Sequence, residues 1–269
     1  MKNVLLLVHD DDGQEARVQA ALDLTRALDG HLTCLDIIRV PEFLNDYTTT
    51  MGSMMLEVDW EVGAKANRAR IEEQLGHEDV NWDWHQKTGD VATIINDRID
   101  LSDVIVLNTT LVDPDMSDMR SIVAATVVKA HKPIVAVPQG YRRFAASGNA
   151  MIAWDGSASS VAALRATLPI LQLAASVSLV EVDHRCDQGV SAEDGAAYLS
   201  RHGVHAAIQQ RRTDGMVSTS SRLLEIALGL HADYIVMGAY GHSQLTEAVF
   251  GGVSRSMLLR SAVPLILAH

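Results

Sequence analysis

The sequence predicts an α/β protein built from two similar domains in tandem, each with a parallel sheet covered by helices on both faces. Apolar runs of four to seven residues alternate with helical segments along the chain, which is the pattern of strands buried on both faces. The same order of strand and helix segments occurs in both halves of the chain. With 269 residues, 48% of them hydrophobic, and only 6 prolines, the chain can form the cores of two medium-sized domains.

The repeat is visible from the first strand of each half. "NVLLLVHDDDGQEARVQAALDLTRAL" from Asn3 and "NAMIAWDGSASSVAALRATLPILQLA" from Asn149 both run from a strand through a turn into a helix. Four further pairs follow in the same order: "HLTCLDII" and "SVSLVEVD", "VNWDWHQ" and "VHAAIQQ", "SDVIVLNTT" and "ADYIVMGAY", and "KPIVAVP" and "VPLILAH". We therefore expect domains at residues 1–140 and 148–269, joined near "QGYRRFAASGN", where Gly and Ser collect.

The two closing strands predict how the halves are arranged. "KPIVAVP" and "VPLILAH" are strongly apolar and would lie at exposed sheet edges unless they were paired. We expect the halves to pack as a pseudo-symmetric pair within one chain, and further association into a homodimer is a second expectation.

Charge is distributed unequally between the halves. The formal net charge is −12, and residues 141–269 hold 10 arginines, 10 acidic residues and no lysine, so the whole excess of negative charge falls on residues 1–140. This composition excludes a general nucleic-acid binder, and an anionic ligand would be repelled by the first half.

The sequence also predicts a soluble cytoplasmic protein with no membrane insertion. No apolar run approaches the roughly 20 residues of a spanning helix, and the start turns acidic too early for a signal peptide. Cys34 and Cys186 lack CxxC spacing, which favours reduced thiols over a disulfide or a zinc site.

Glycines distinguish the second half from the first. In "VMGAYGHSQLTEAVFGGVSRSMLL", Gly238 and Gly241 follow an apolar strand, and Gly251 and Gly252 precede a helix that contains Ser254. The corresponding residues of the first half are Asn108, Leu111, Arg120 and Ser121. One interpretation is a phosphate site, because bare backbone lets amides approach anionic oxygens, permits positive φ, and adjoins the N-terminus of a helix. The other is turn chemistry alone, with the second glycine pair only separating two helices.

The spacing G-x2-G-x9-G, matched by Gly238, Gly241 and Gly251, resembles the signature of the nucleotide-binding branch of the universal stress protein family. The resemblance covers nearly all of both halves. It implies two tandem Rossmann-like domains, each with a five-stranded parallel sheet, and an ATP lying across the strand ends of the second domain.

The resemblance also implies a set of binding residues. Asp155 would lie near the ribose and adenine, and the backbone near Val182 would contact adenine. Ser157 and Met237 are also predicted to bind the cofactor. The phosphate contacts would fall on Gly238, Gly241, Gly251, Gly252, Val253 and Ser254. One departure is Gly252, which stands where the family usually has Ser or Thr, so that a hydroxyl contact is lost while the amide remains.

Three residues near the expected site have alternative roles. His242 is either a phosphate contact or an exposed loop histidine. Ser243 is either a phosphate contact or the N-cap of "QLTEAVF". Asp155 is a ligand contact, an N-cap or turn residue, or both.

Other clusters predict structure and not chemistry. "VHDDDGQ" and "EVDHRCDQ" match neither a zinc spacing nor a calcium loop, and we interpret them as solvated loops. Met51, Met54 and Met55 are interpreted as an interdomain cover, and Trp82 and Trp84 as the inward side of a half-buried strand.

The function that follows is a regulatory ATP-binding protein of the stress response, with one ATP per chain and Mg²⁺ as the expected counter-ion. The alternatives are an interaction module that binds no nucleotide and a slow ATP hydrolase. No Walker, HxGH, SGGxDS or GxSxG element occurs, so we expect no ordinary enzyme. Gly238→Val is expected to abolish binding and to leave the fold intact.

Overall fold

A computed structural model of the chain describes residues 1–38, 51–89, 91–109, 126–127, 132–183, 189–212, 217–239 and 252–269. For residues 51–61, 91, 92 and 96 it describes the backbone only. The described strands form one ten-stranded sheet. They are β1 (Asn3–Val8), β2 (His31–Ile38), β3 (Asn81–Thr88), β4 (Val104–Asn108), β5 (Ile134–Val137), β6 (Asn149–Trp154), β7 (Ser176–Val182), β8 (Ala206–Arg211), β9 (Tyr234–Gly238) and β10 (Leu265–Ala268).

Helices connect these strands and pack on both faces of the sheet. They are α1 (Gln14–Ala27), α2 (Met51–Gly76), α3 (Val91–Arg98), α4 (Ala158–Ala166), α5 (Leu168–Leu171), α6 (Ala192–Arg201), α7 (Thr219–Gly229) and α8 (Gly252–Arg260). Side chains alternate between the faces, so the inner strands contribute to two separate cores, whereas the edge strands β3 and β8 pack against one of them.

The strand order is β3-β2-β1-β4-β5-β10-β9-β6-β7-β8. All neighbours within the first five strands are parallel, and so are all neighbours within the last five. Each half is therefore a five-stranded parallel sheet whose first strand lies in the middle, and the fold predicted from the sequence is confirmed.

The internal repeat extends to single hydrogen bonds of the backbone. Each of these bonds has a counterpart in the other half: Asp103 N to Asn3 O at 2.8 Å and Asp233 N to Asn149 O at 2.8 Å, Thr109 N to Val137 O at 3.0 Å and Ala239 N to Ala268 O at 2.9 Å. The last pair fixes the alignment at the strand ends, because Thr109 and Ala239 follow β4 and β9 directly. Asn108 and Gly238 are thus structurally equivalent, as the sequence alignment predicts.

The two halves join through their closing strands. β5 and β10 pair antiparallel, with Ile134 opposite Leu267, Val135 opposite Ile266 and Ala136 opposite Leu265. All six side chains are fully buried. Their pairing removes the exposed edges that the apolar sequences would otherwise present, as expected. Because the pair is antiparallel, the carboxyl ends of the strands in the two halves lie at opposite edges of the sheet.

This junction also affects the expectation of a homodimer. The closing strands are already paired within the chain, so a homodimer would have to form through another surface. Homodimer formation itself stays a prediction.

The segment between β5 and β6, which joins the two halves, is packed against both of them. Phe144 is 3% exposed, its ring stacks on Tyr234 at 5.4 Å between centroids, and its amide donates to Asp23 Oδ2 at 2.9 Å. Tyr141 Oη donates to the Asp233 carbonyl at 2.9 Å. This segment therefore ties α1 of the first half to β9 of the second.

Two smaller sequence interpretations meet the structure differently. Trp82 and Trp84 are partly buried on the edge strand β3, as predicted for a half-buried strand. The side chains of Met51, Met54 and Met55 lie outside the described residues, so their role as a cover stays a prediction.

Within the described residues, no helix is long and apolar enough to cross a membrane.

The junction predicts that the halves unfold together. Ile266 is fully buried in a core cluster that includes residues of both halves, so Ile266→Ala should lower the free energy of unfolding by about 2–5 kcal/mol. Leu228→Ala, at a position 77% exposed, should change it by less than about 0.5 kcal/mol. Urea denaturation followed by circular dichroism should show one shifted transition for Ile266→Ala. Two transitions, of which only one shifts, would show that the halves are independent.

Candidate functional site

The carboxyl edge of the second half contains the point at which the strand order reverses. β6 lies between β9 and β7, and the chain leaves β6 toward β7 before it returns to β9 on the other side. In open parallel sheets, ligands bind in the crevice at such a point. Asp155 follows β6 and Gly238 ends β9, so two predicted site residues adjoin this crevice.

The loop after β6 is held in one conformation by short-range hydrogen bonds. Asp155 Oδ1 accepts from Ser157 N at 3.0 Å, and Ser157 is the N-cap of α4, with its Oγ accepting from Ser160 N at 3.2 Å. Asp155 is therefore the turn residue and Ser157 is the cap, which decides between the two structural roles proposed for Asp155. The carboxylate remains exposed at the strand edge.

Gly156 has a conformational role that the sequence reasoning passed over. Its φ is +72°, and a Cβ there would lie 2.6 Å from the Val190 carbonyl oxygen. Val190 N donates to Gly156 O at 2.9 Å, which fixes the loop against the segment before α6. The Asp-Gly dipeptide is a turn signal from which this could have been predicted.

Gly238 is required by packing, which corrects the sequence argument. A Cβ at Gly238 would clash with the backbone of Ser159 and Ser160, lying 2.6 Å from the Ser159 carbonyl carbon. The residue is not at positive φ, so close approach and not backbone conformation explains the glycine. A valine at this position would disturb the fold, contrary to our expectation for Gly238→Val.

The first half meets the same steric demand with the glycine on the other element. Gly13, the N-cap of α1, lies against Asn108, and Asn108 Nδ2 donates to Gly13 O at 3.1 Å. The second half instead has serines at the start of α4 and glycine at the end of β9. The absence of glycine from position 108 therefore reflects an exchange of partners and does not by itself indicate a ligand.

The start of α8 has the space that a phosphate site requires. A Cβ at Gly252 would meet nothing within 4 Å, and Gly252 and Val253 are exposed. Ser254, in the first turn of the helix, is 6% exposed. The amides of this turn carry the positive end of the helix dipole, so the turn can receive an anion.

Val182 and Met237 differ in what they could offer a ligand. Val182 ends β7 at the same edge and is partly buried. Met237 is 5% exposed with its side chain in the core, so a ligand contact from Met237 would come from its backbone. Gly241, His242, Ser243 and Gly251 lie outside the described residues, and their roles stay predictions.

The loop after β1 repeats the turn that follows β6. Asp11 Oδ1 accepts from Gly13 N at 2.7 Å, as Asp155 Oδ1 does from Ser157 N. The loop is two residues longer than its counterpart, as the sequence alignment indicates. Asp11 is therefore the structural equivalent of Asp155.

The aspartate of the first half is neutralised by a buried arginine. Arg17 is fully buried, and its Nη1 lies 3.1 Å from Asp11 Oδ2 while its Nη2 donates to the His9 carbonyl at 2.7 Å. Burial lowers the pKa of Arg17, and the charge of Asp11 opposes this effect. Counting from the helix caps, the second half has Val161 at this position. Asp11 is thus engaged inside the protein, whereas Asp155 stays at the surface.

Among the described residues, no group of three or more His, Cys, Asp or Glu side chains is arranged to hold a metal ion. Cys34 is buried and forms no disulfide, and burial raises the pKa of its thiol to about 12. Part of "EVDHRCDQ", including Cys186, lies outside the described residues.

The chain is a tandem α/β protein, and the carboxyl edge of its second half is the candidate ligand site. A universal stress protein from Archaeoglobus fulgidus DSM 4304 has the same fold over 99% of this chain and 95% of its own, with a TM-score of 0.75 and 12% sequence identity. A candidate universal stress protein from Pseudomonas aeruginosa UCBPP-PA14 matches 100% of this chain and 93% of its own, with a TM-score of 0.58 and 13% identity. A functionally unknown protein from Pseudomonas aeruginosa PAO1 matches 100% and 92%, with a TM-score of 0.57 and 13% identity.

No sequence-family model and no curated protein sequence matches the chain. At these low identities the likeness concerns the fold. The chain therefore has the fold of a tandem universal stress protein, which confirms the fold that the sequence resemblance implies.

The two described glycines of the predicted phosphate site should respond differently to alanine. Gly238→Ala should lower the free energy of unfolding by about 3 kcal/mol, because the new methyl group meets backbone that cannot rotate away. Gly252→Ala should leave stability unchanged within about 0.5 kcal/mol or raise it, since the space is open and the position is helical. Chemical denaturation of both variants tests this, and equal effects would contradict the packing role of Gly238.

Proposed function

We propose that the chain is a tandem universal stress protein that binds one adenine nucleotide, ATP with Mg²⁺, at the carboxyl edge of its second half, and that it acts as a regulatory protein of the stress response. The observation that carries the proposal is the contrast between two equivalent aspartates. Asp155 is exposed beside the crevice, whereas Asp11 forms an ion pair with the fully buried Arg17. Of these two equivalent aspartates, the one in the second half is therefore at the surface, where the hydroxyl groups of a ribose would meet it.

The residues at this edge fit the parts of a nucleotide. Asp155 would accept hydrogen bonds from the ribose, the backbone after β7 would face the adenine, and the amides of Gly252, Val253 and Ser254 would receive phosphate oxygens. The open space at Gly252 leaves room for a phosphate group close to the start of α8. Bound ATP would add a large negative charge at this edge, and a partner protein would recognise the nucleotide-bound form.

Mg²⁺ is part of the proposal because the negative charge of a triphosphate needs compensation at this site. Residues 141–269 contain no lysine and have a net charge of zero, so they offer limited compensation for a triphosphate. A divalent cation that bridges phosphate oxygens supplies that compensation in many nucleotide complexes.

Two other functions compete with this proposal. An interaction module without nucleotide would explain the exposed Asp155 and the open space at Gly252 only as surface features. A slow ATP hydrolase requires the same site together with a base for the attacking water, and the sequence contains none of the hydrolase motifs considered above.

Asp155→Asn tests the site without disturbing the loop. Asparagine can still accept the hydrogen bond from Ser157 N, but it removes the charge that would bind the ribose hydroxyl groups. We expect one ATP per chain for the wild type in calorimetric titration, and roughly tenfold or greater weakening for Asp155→Asn.

Asp29→Asn is the matched control, because Asp29 is an exposed aspartate of the first half at φ 47°, a conformation that asparagine also adopts. Its affinity for ATP should equal that of the wild type. Two equivalent ATP sites per chain, or full affinity in Asp155→Asn, would contradict the assignment of the site.

Turnover of ATP should be very slow. The proposed contacts hold the phosphates electrostatically, and none of them is assigned to the activation of water. We expect steady-state phosphate release well below about 1 per second, measured with a coupled assay in the presence of Mg²⁺. A rate of about 1 per second or faster would replace the regulatory proposal with an enzymatic one.

A further inference from the structure

The antiparallel junction brings a lysine of the first half to the carboxyl edge of the second. β10 pairs with β5 so that Leu267 lies opposite Ile134. Lys132 lies two residues before β5 and His269 directly follows β10, so the antiparallel pairing brings these two strand ends to the same edge of the sheet. The second half has no lysine in its own sequence, but the junction supplies one from the first half.

Both residues adjoin strands that pack against α8. Leu267 and Ile134 contribute to the same core cluster as Met257 and Leu258 of α8. His269 directly follows β10, and Lys132 lies two residues before β5, so both adjoin the ends of strands that pack against α8. Helix α8 runs back along β10, so its first turn lies toward the edge at which β10 ends.

His269 is oriented by a hydrogen bond beside the crevice. Its Nδ1 lies 2.9 Å from the carbonyl oxygen of Ala239, the residue that follows Gly238. A carbonyl oxygen only accepts, so Nδ1 carries the proton and the other ring nitrogen, Nε2, remains for a second partner. The ring is partly exposed.

Lys132 also stays accessible at this edge. It is partly exposed, and no ion pair involving it occurs among the described residues. Its charge acts on the carboxylate of Asp103. The carboxylate of Asp103 is already occupied by the backbone amides of Lys2 and Asn3, at 2.6 and 2.9 Å.

The equivalent positions of the first half contain no such groups. Val137 and Ala268 are equivalent, because each accepts one of the two strand-end hydrogen bonds. In the repeat, Pro138 is therefore equivalent to His269, and Val263 is equivalent to Lys132. Two groups that can be cationic therefore stand at the edge with the exposed Asp155. Two apolar residues stand at the edge where Arg17 neutralises Asp11.

We propose that Lys132 and His269 form, with the first turn of α8, a composite anion site that binds the phosphate chain of the nucleotide across the junction between the two halves. This inference rests on the proposed nucleotide site and adds the first half as a contributor to it. It assigns the first half a role in binding that its own altered strand-end loop does not suggest.

Charge removal with the side-chain stem retained tests the inference. Lys132→Met should weaken the binding of ATP about tenfold and that of adenosine by less than twofold, because the lysine is placed on the phosphates. Lys132→Arg should restore most of the affinity. His269→Gln should also weaken ATP more than adenosine. Affinities are measured by calorimetric titration with ATP, AMP and adenosine, each with a thermal melt to confirm folding.

The chain offers a matched control for each variant. Lys87→Met removes the same charge from the far edge strand β3, and His205→Gln changes an exposed histidine directly before β8. Both should bind ATP as the wild type does. If the wild type binds ATP and Lys132→Met and His269→Gln bind it equally well, the composite site is wrong and the proposed nucleotide site stands. If the wild type binds no nucleotide, both proposals are overturned.

Discussion

The antiparallel pairing of β5 with β10 is the interaction on which the rest of the structure depends. It buries six apolar side chains that would otherwise lie at open sheet edges, and it merges two five-stranded sheets into one. It also decides which residues can meet. Because the two halves run in opposite directions, the carboxyl edge of the second half lies beside the amino edge of the first, where Lys132 precedes β5. A site at that edge can therefore draw on both halves.

The two halves solve one packing problem in opposite ways. Where the first helix approaches the end of the fourth strand, the first half places glycine on the helix side and Asn108 on the strand, and the second half places serines on the helix and Gly238 on the strand. A glycine that occurs in only one of two repeats is therefore weak support for a ligand until its surroundings are known. Gly252 remains informative because open space, and not neighbouring backbone, surrounds it.

Much of the fold could be predicted from the sequence because its strands are buried on both faces and so appear as apolar runs without polar interruption. The repeat and the need to pair "KPIVAVP" and "VPLILAH" follow from that pattern. The direction of the pairing does not, since two short apolar strands give the same pattern in either orientation. The packing of Phe144 was also hidden, because one aromatic residue lies within a segment whose Gly and Ser content is typical of a linker.

The candidate site was predictable only in part for a similar reason. The position of Asp155 after a strand could be read from the sequence, and so could the glycines that match the family spacing. The burial of Arg17 could not, because "HDDDGQEAR" has the composition of a solvated loop and helix start, and only the packing of α1 shows that Asp11 is turned inward. The contribution of Lys132 depends on strand register across the junction, which no local pattern encodes.

Hydrogen exchange of the intact chain with and without ATP and Mg²⁺ tests the central claim, that the nucleotide binds at the carboxyl edge of the second half and not at the carboxyl edge of the first. We predict slower exchange at Ala239 and in the first turn of α8, and unchanged exchange at Thr109, which is the equivalent of Ala239 in the first half. Protection at both edges, or at Thr109 alone, would contradict the account. So would exchange that saturating ATP leaves unchanged throughout the chain.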